Sequence, residues 1–305
     1  LGSLNTDLVS VTPRVPLAGE TLTSTSFVTV PGGKGLNQCI STQRLSRTSA
    51  NAPSDIHVRM IGAVGSDTFG PMLRSTLTDN GVTDESIKTA DVNSGVAVII
   101  VEETDGMNRI LISPGANGTV TWDDKELERE GEQVGMLVAQ LETPMETVLA
   151  AVGAAHSRGM DVLLNPAPAK TLPMDVYPKI KYLIVNETEA AILGEVDVKV
   201  LDTDTGIQST GYKLKSFGAK NVVITLGSRG CWWTSEDGKE GFVPVEKVSK
   251  VVDTTGAGDT WVGAFAVAVT EGREMGEAAR LAGKAAGVAV TKAGAIAGIP
   301  WRGEV

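Results

Sequence analysis

The chain has 305 residues and a formal net charge of −10, which disfavours nucleic acid and anionic membrane surfaces as main partners. It holds no apolar run long enough to span a bilayer. Its few aromatic residues and 35 glycines suit a parallel α/β sheet with glycine-bearing turns better than an aromatic-cored β sandwich. Two cysteines, Cys39 and Cys231, and two histidines, His57 and His156, fall in no metal-like or triad-like spacing, and the cysteines read as ordinary thiols of a reducing compartment.

The chain opens at Leu1, at what reads as a strand-to-turn transition, so its leading strand looks clipped and a targeting segment is neither indicated nor ruled out. Residues 1–7 read as a strand end and a turn, with Asn5 and Asp7 as polar groups at the strand's carboxyl end. Both residue types are also common turn formers. β-branched runs over 20–30 and 95–102, the second followed by an Asp105-Gly106 turn and Arg109-Ile-Leu-Ile112, predict short strands and a hairpin. The two pieces, 10–31 and 94–113, could pair into one small sheet that covers a pocket or serves as a dimer surface. Gly32-Gly-Lys-Gly-Leu-Asn37 lacks the spacing of a Walker A loop. It predicts a close backbone approach to a ligand, or a plain glycine turn capping a helix over 37–47. Residues 46–55 read as a surface loop.

Further on, the pattern predicts a buried strand at 58–64 and an amphipathic helix at 67–80 stopped by Gly81. A strand at 136–142 ends on Glu142, and a helix follows at 143–158. Strands at 161–165, 182–186 and 221–226 come next, with a helix starting at Glu187 and a stop at Gly227-Ser-Arg-Gly230. Strand-then-helix alternation implies parallel strands joined by right-handed crossovers. Asp7, Glu142, Asn165, Asn186 and Thr225 would then converge on one sheet edge, where open α/β sheets bind ligands.

The small-residue turn Thr255-Gly-Ala-Gly258 is followed by Asp259 and two predicted helices, 261–271 and 275–289. A helix start offers unpaired N–H donors and partial positive charge to an anion such as phosphate. A carboxylate beside such a site is unfavourable unless it has work to do, for instance accepting the proton of an attacking hydroxyl. A plain capped helix start is the other reading of this turn.

Taken with Gly32–Asn37, the stretch Asp253-Thr-Thr-Gly-Ala-Gly-Asp259 resembles the ribokinase/PfkB family of carbohydrate kinases. So do Gln140-Leu-Glu142, Asn165-Pro-Ala-Pro168, Asn186-Glu-Thr-Glu189 and Thr225-Leu-Gly-Ser-Arg-Gly230, in this order over nearly the whole chain. The resemblance implies a Rossmann-like three-layer α/β/α sandwich with a mostly parallel central sheet and a small β-sheet lid. It implies ATP-dependent phosphorylation of D-ribose at the 5-hydroxyl, Asp259 as base and the backbone of Gly256, Ala257 and Gly258 as anion hole. Asn5, Asp7, Gly33, Lys34, Gly35, Asn37, Glu142 and Asp259 would surround the sugar. Thr225, Leu226, Gly227, Ser228, Arg229, Gly230, Asn186, Gly258 and Ala282 would meet the nucleotide. Glu189, through water, would serve Mg²⁺, although Asn186 and Glu189 also have the spacing of a capping box. Asp253, Thr255, Ala289, Lys292, Gly294 and Gly298 would hold a monovalent cation, K⁺. The resemblance further implies a homodimer built through the lid and a cytoplasmic or nuclear location.

Three positions depart from the family pattern. Gly298 stands where Ser is frequent, Ala282 where a larger side chain flanks the adenine, and Leu36 where Ala is common, which would reshape the sugar pocket. Another furanose, keto-sugar or nucleoside is the alternative substrate, and a sugar-binding sensor without catalysis is the alternative class. A dinucleotide-dependent oxidoreductase is disfavoured because no Gly-x-Gly-x-x-Gly turn follows the first strand.

Overall fold

The computed structural model describes residues 1–104, 107–128 and 134–305; the expected Asp105-Gly106 turn lies outside them. The main sheet has six strands: β7 (Met136–Ala139), β8 (Asp161–Leu164), β9 (Tyr182–Asn186), β10 (Asn221–Thr225), β11 (Cys231–Thr234) and β12 (Glu240–Val243). Their order is β12-β11-β10-β9-β8-β7. β7 to β10 are parallel, as the strand-helix alternation required, and β11 and β12 add an antiparallel edge that the sequence reading did not include.

Period-two alternation sorts the side chains between two helical layers. Val162, Leu164, Leu183, Val185, Val222 and Ile224 join a core with α3 (Met145–Ser157), α4 (Glu187–Gly194) and α5 (Asp204–Ser216). Leu163, Tyr182, Ile184 and Val223 face the other way, toward α6 (Ala257–Thr270) and α7 (Met275–Ala289). Next to α6 lies α1 (Lys34–Leu45). With α2 (Phe69–Asp79) and the short parallel pair β3 (Gly62–Gly65) and β4 (Ile87–Ala90), α1 encloses a third core. A one-turn α8 (Ala295–Gly298) follows α7 within a run of small residues. Between β7 and the stretch 58–61 runs a cavity of about 500 Å³, which Leu1 also lines.

A separate four-stranded sheet carries β1 (Asn5–Thr12), β2 (Ser26–Gly32), β5 (Gly95–Glu102) and β6 (Asn108–Ser113), in the order β2-β1-β5-β6. The two β-rich pieces share this sheet, but β2 and β5 do not pair each other: both flank β1, which begins at Asn5. Asn5 and Asp7 do not sit on a turn at the end of a main-sheet strand; they open β1, so Asp7 belongs to the second sheet. The reason is register: Asn5 pairs Gly32 and Asp7 pairs Val30, and these partners satisfy the backbone that a turn would have left free.

Candidate active site

Two glycine-started helices set the geometry. Gly33 and Gly256 precede α1 and α6 with φ of 91° and 74°, a region that a side chain with a Cβ rarely enters. The helices then approach closely. A Cβ on Gly263 would stand 2.4 Å from the Cβ of Ser41, so this pair has no room for anything larger. Gly263 lies one turn beyond Asp259, and Ser41 one turn beyond Asn37. The same seam therefore brings Asn37 and Gln38 onto Asp259. Asn37 Nδ2 donates to Asp259 Oδ2 at 2.9 Å, and Gln38 Nε2 donates to Asp259 Oδ1 at 2.9 Å.

Asp259 is buried but lines a polar cavity of about 140 Å³ beside the first turn of α6. Lys34, Asn165, Asn186, Glu189, Thr225, Gly256 and Gly258 share its wall. Asn165, Asn186 and Thr225 converge there from neighbouring strand ends, as the sequence reading expected, with Thr225 paired to Asn186 in the β9–β10 ladder. Glu142 lies just beyond β7. Its Oε2 accepts from the backbone N–H of Lys34 at 2.9 Å and from Ser3 Oγ at 2.5 Å, placing a negative charge at the start of α1.

Asp7 faces Gly32 so closely that a Cβ there would meet its carboxylate at 2.2 Å. Burial, and then the charges of Glu142 and Asp259, push the Asp7 carboxyl up to about 7. Burial works against the Lys34 ammonium, but Asp259, Glu142 and Glu189 together leave it above its ordinary value. Glu189 is raised by burial. Asn186 and Glu189 do form a reciprocal capping box, with Asn186 N donating to Glu189 Oε2 at 2.9 Å and Glu189 N to Asn186 Oδ1 at 2.8 Å.

The remaining expected residues fall as follows. Gly35 is buried against Gly2 and Ser3. Ala257 N–H turns to Thr254 O at 3.2 Å. Leu226 is buried, while Gly227 and Ser228 are exposed. Arg229 is tied to Glu187 and to the carbonyls of Leu201 and Asp202. Ala282 is fully buried in the α6–α7 core. Leu36 packs among Leu4, Ile40 and Leu73 in the third core, so it does not reshape the pocket from within. Asp253 accepts from Thr255 N at 2.9 Å and Gly294 N at 2.8 Å, tying the loop before α6 to the loop before α8. Burial would raise this carboxyl, and those bonds outweigh it and leave it lowered. Gly298 lies against Ala289 O, which accepts from Lys292 N at 3.1 Å, while the Lys292 side chain pairs with Glu304.

Three buried amides escaped the sequence reading as site residues. Asn117 holds Leu4 through both backbone groups and donates to Asn5 Oδ1 at 2.7 Å. Gln38 and Gln140 join the network behind Asp259. Glycines beside Asn117 and the motif neighbours Asn37 and Glu142 were the available signals.

The chain matches the description "pfkB family carbohydrate kinase" over residues 1–302. The chain belongs to this family. Among curated relatives, a ribokinase of Schizosaccharomyces pombe is 44% identical over 311 residues, covering 100% of this chain and 95% of the relative. A deoxyribokinase of Salmonella typhi is 35% identical, covering 87% and 83%. Among solved structures, that of Arabidopsis thaliana ribokinase complexed with ribose and ATP superposes with a TM-score of 0.87 at 31% identity, covering 99% of this chain and 95% of that one. This carbohydrate kinase has, among its described residues, no helix long and apolar enough to cross a membrane.

Proposed function

We propose that the chain transfers the terminal phosphate of ATP to the 5-hydroxyl of D-ribose, giving ribose 5-phosphate and ADP. The observation that carries this reading is Asp259, an acceptor held at both oxygens by Asn37 and Gln38 on the wall of a polar cavity. It is suited to take the hydroxyl proton, and the loose transition state of phosphoryl transfer asks little strength of the base. The backbone around Gly256, Ala257 and Gly258 would hold the transferring phosphoryl group, with Ala257 N–H exchanging its long bond to Thr254 for the anion. Asn5, Asp7, Gly33, Gly35, Asn37 and Glu142 would read the sugar hydroxyls. Lys34, expected beside the sugar, lines the same cavity as Glu189 and would sit between the sugar and the phosphates. Thr225 to Gly230 would receive the nucleoside end of ATP, while Ala282, expected beside the nucleotide, is closed off in the α6–α7 core. Full-length similarity to ribokinases supports the reading, as does a relative solved with ribose and ATP.

The residues fit both implied ions. Glu189 lines the cavity, engages Oε2 in its capping box, and would serve Mg²⁺ through water; on the phosphates this ion would supply positive charge. The carboxylate of Asp253, with nearby backbone carbonyls such as that of Ala289, has the donor chemistry of a large monovalent cation, and K⁺ there would brace the loop before α6.

The four-stranded sheet would act as a lid over the sugar, excluding water from the terminal phosphate. Its register divides it into two faces. Asn5, Asp7, Ala97 and Ile99 share one with Gly32, while Leu8, Phe27, Val98 and Leu111 share the other. Phe27 is 59% exposed and Leu111 70%, and this outer apolar face would pair two chains. A cytoplasmic setting, with ATP at hand and thiols kept reduced, belongs to the same proposal.

A coupled assay of ADP release decides the substrate. Turnover is expected with ribose and to depend on Mg²⁺ and K⁺; silence with ribose beside turnover of fructose or a nucleoside would overturn the assignment. Similarity to a deoxyribokinase makes 2-deoxyribose the sugar to compare first.

A further inference from the structure

Behind Asp259 lies a chain of buried amides whose donors all point one way. Gln140 Nε2 donates to Gln38 Oε1 at 2.6 Å. Gln38 Nε2 donates to Asp259 Oδ1 at 2.9 Å and to Asn165 Oδ1 at 3.0 Å. Asn165 Nδ2 donates to Ile184 O at 3.0 Å and reaches Glu189 Oε2 at 3.5 Å. Gln38 is 1% exposed and Gln140 2%, so both amides are shielded from bulk solvent, although both also border the cavity of about 500 Å³ beside β7.

The direction is dictated by charge. A carboxylate only accepts, so Gln38 must present its NH₂ to Asp259, which leaves Oε1 facing Gln140. Gln140 must then donate, and its own oxygen is left buried without a partner among the described residues. That orphan is a standing cost, accepted so that the network keeps one orientation. Gly2 makes the room: a Cβ there would lie 2.1 Å from Gln140 Oε1.

We propose that Gln38 is a positioning residue for the base, locked by Gln140, and that Asn165 extends the same network to Glu189. The proposal deepens the kinase reading and rests on Asp259 being the base. Gln38 fixes the rotation of the carboxylate, while Asn37 fixes its other oxygen. Loss of one tether leaves a carboxylate that still repels and attracts as before but samples angles useless for proton transfer.

The test uses Gln38→Met and Gln140→Met, which keep length and remove the amide, with Asp259→Asn as reference. Gln38→Met is expected to lower kcat about 10- to 100-fold, with KM for sugar and ATP within about twofold. Gln140→Met should lower kcat less. The double variant should be no slower than Gln38→Met alone, because Gln140 acts through Gln38. A kcat within twofold of wild type in Gln38→Met, or parallel changes in kcat and both KM values, overturns the positioning role. Should Gln38→Met not fold, Gln140→Met decides on the same split between kcat and KM. If Asp259→Asn itself turns over near normally, the base assignment fails, and that result is distinct from a silent Gln38→Met beside a dead Asp259→Asn.

Discussion

Asp259 and Asp7 are two carboxylates in one site whose surroundings give them different tasks. Asp259 is bonded at both oxygens by side-chain amides, which would hold it in place for the proposed proton transfer. Asp259→Asn is expected to cut kcat by at least about 10³-fold while ribose still binds by calorimetry, since the loss falls on a transition-state interaction. Asp7 is pushed from 3.8 to about 7 by burial and by its acidic neighbours. Between roughly pH 4 and 7 the sugar-free folded chain therefore keeps a proton that the unfolded chain gives up. Stability from this group falls as pH rises through that window, and the penalty is complete above about pH 7. Asp7→Asn should accordingly stabilise the sugar-free protein at pH 8 by on the order of 2 kcal/mol and change little below about pH 4. It should weaken ribose binding at the same time. Denaturant melts at both pH values check the sign, and an equal effect at both would refute it.

At the scale of elements, the site is a seam between α1 and α6. Gly263 and Ser41 set their spacing, and Ser41 Oγ donates to Thr260 O at 2.9 Å across the joint. Gly263→Val would drive two helices apart one turn beyond the base. The expected cost is about 1–3 kcal/mol of stability from overpacking. Because Asn37 and Gln38 hold Asp259 across that seam, kcat should drop by more than the folded fraction explains. Urea titration beside single-temperature kinetics separates the two, and a loss of stability with unchanged kcat would mean that the seam does not set the geometry of the base.

For the whole molecule, the second sheet has one face toward the site and one apolar face outward. Because alternate residues on one strand serve opposite faces, neighbouring substitutions have different consequences. Leu111→Glu should convert the proposed dimer to a monomer in light scattering, while the sugar-side residues keep their positions. Ile112, on the inner face with Asp7, tests the division. If Leu111→Glu leaves the mass unchanged, the outer face is not the dimer surface.

Much of this molecule was legible as a string of residues. The strands β8, β9 and β10 show as short apolar runs, α7 as a helical pattern, and the two glycine turns mark the starts of α1 and α6. These are local signals, fixed by a period of two or 3.6 and by glycine's access to positive φ. The antiparallel edge β11–β12 was missed, because a four-residue strand ended by a turn carries little periodic signal. The place of Asp7 was misread because its partner, Val30, is chosen by ladder register, and short-range pattern does not encode register. The amides behind the base were invisible for the same reason. Gln38 meets Asp259 at a separation of 221 positions along the chain. Sequence supplied the chemical groups and the helix ends, while packing between distant segments decided which of them touch.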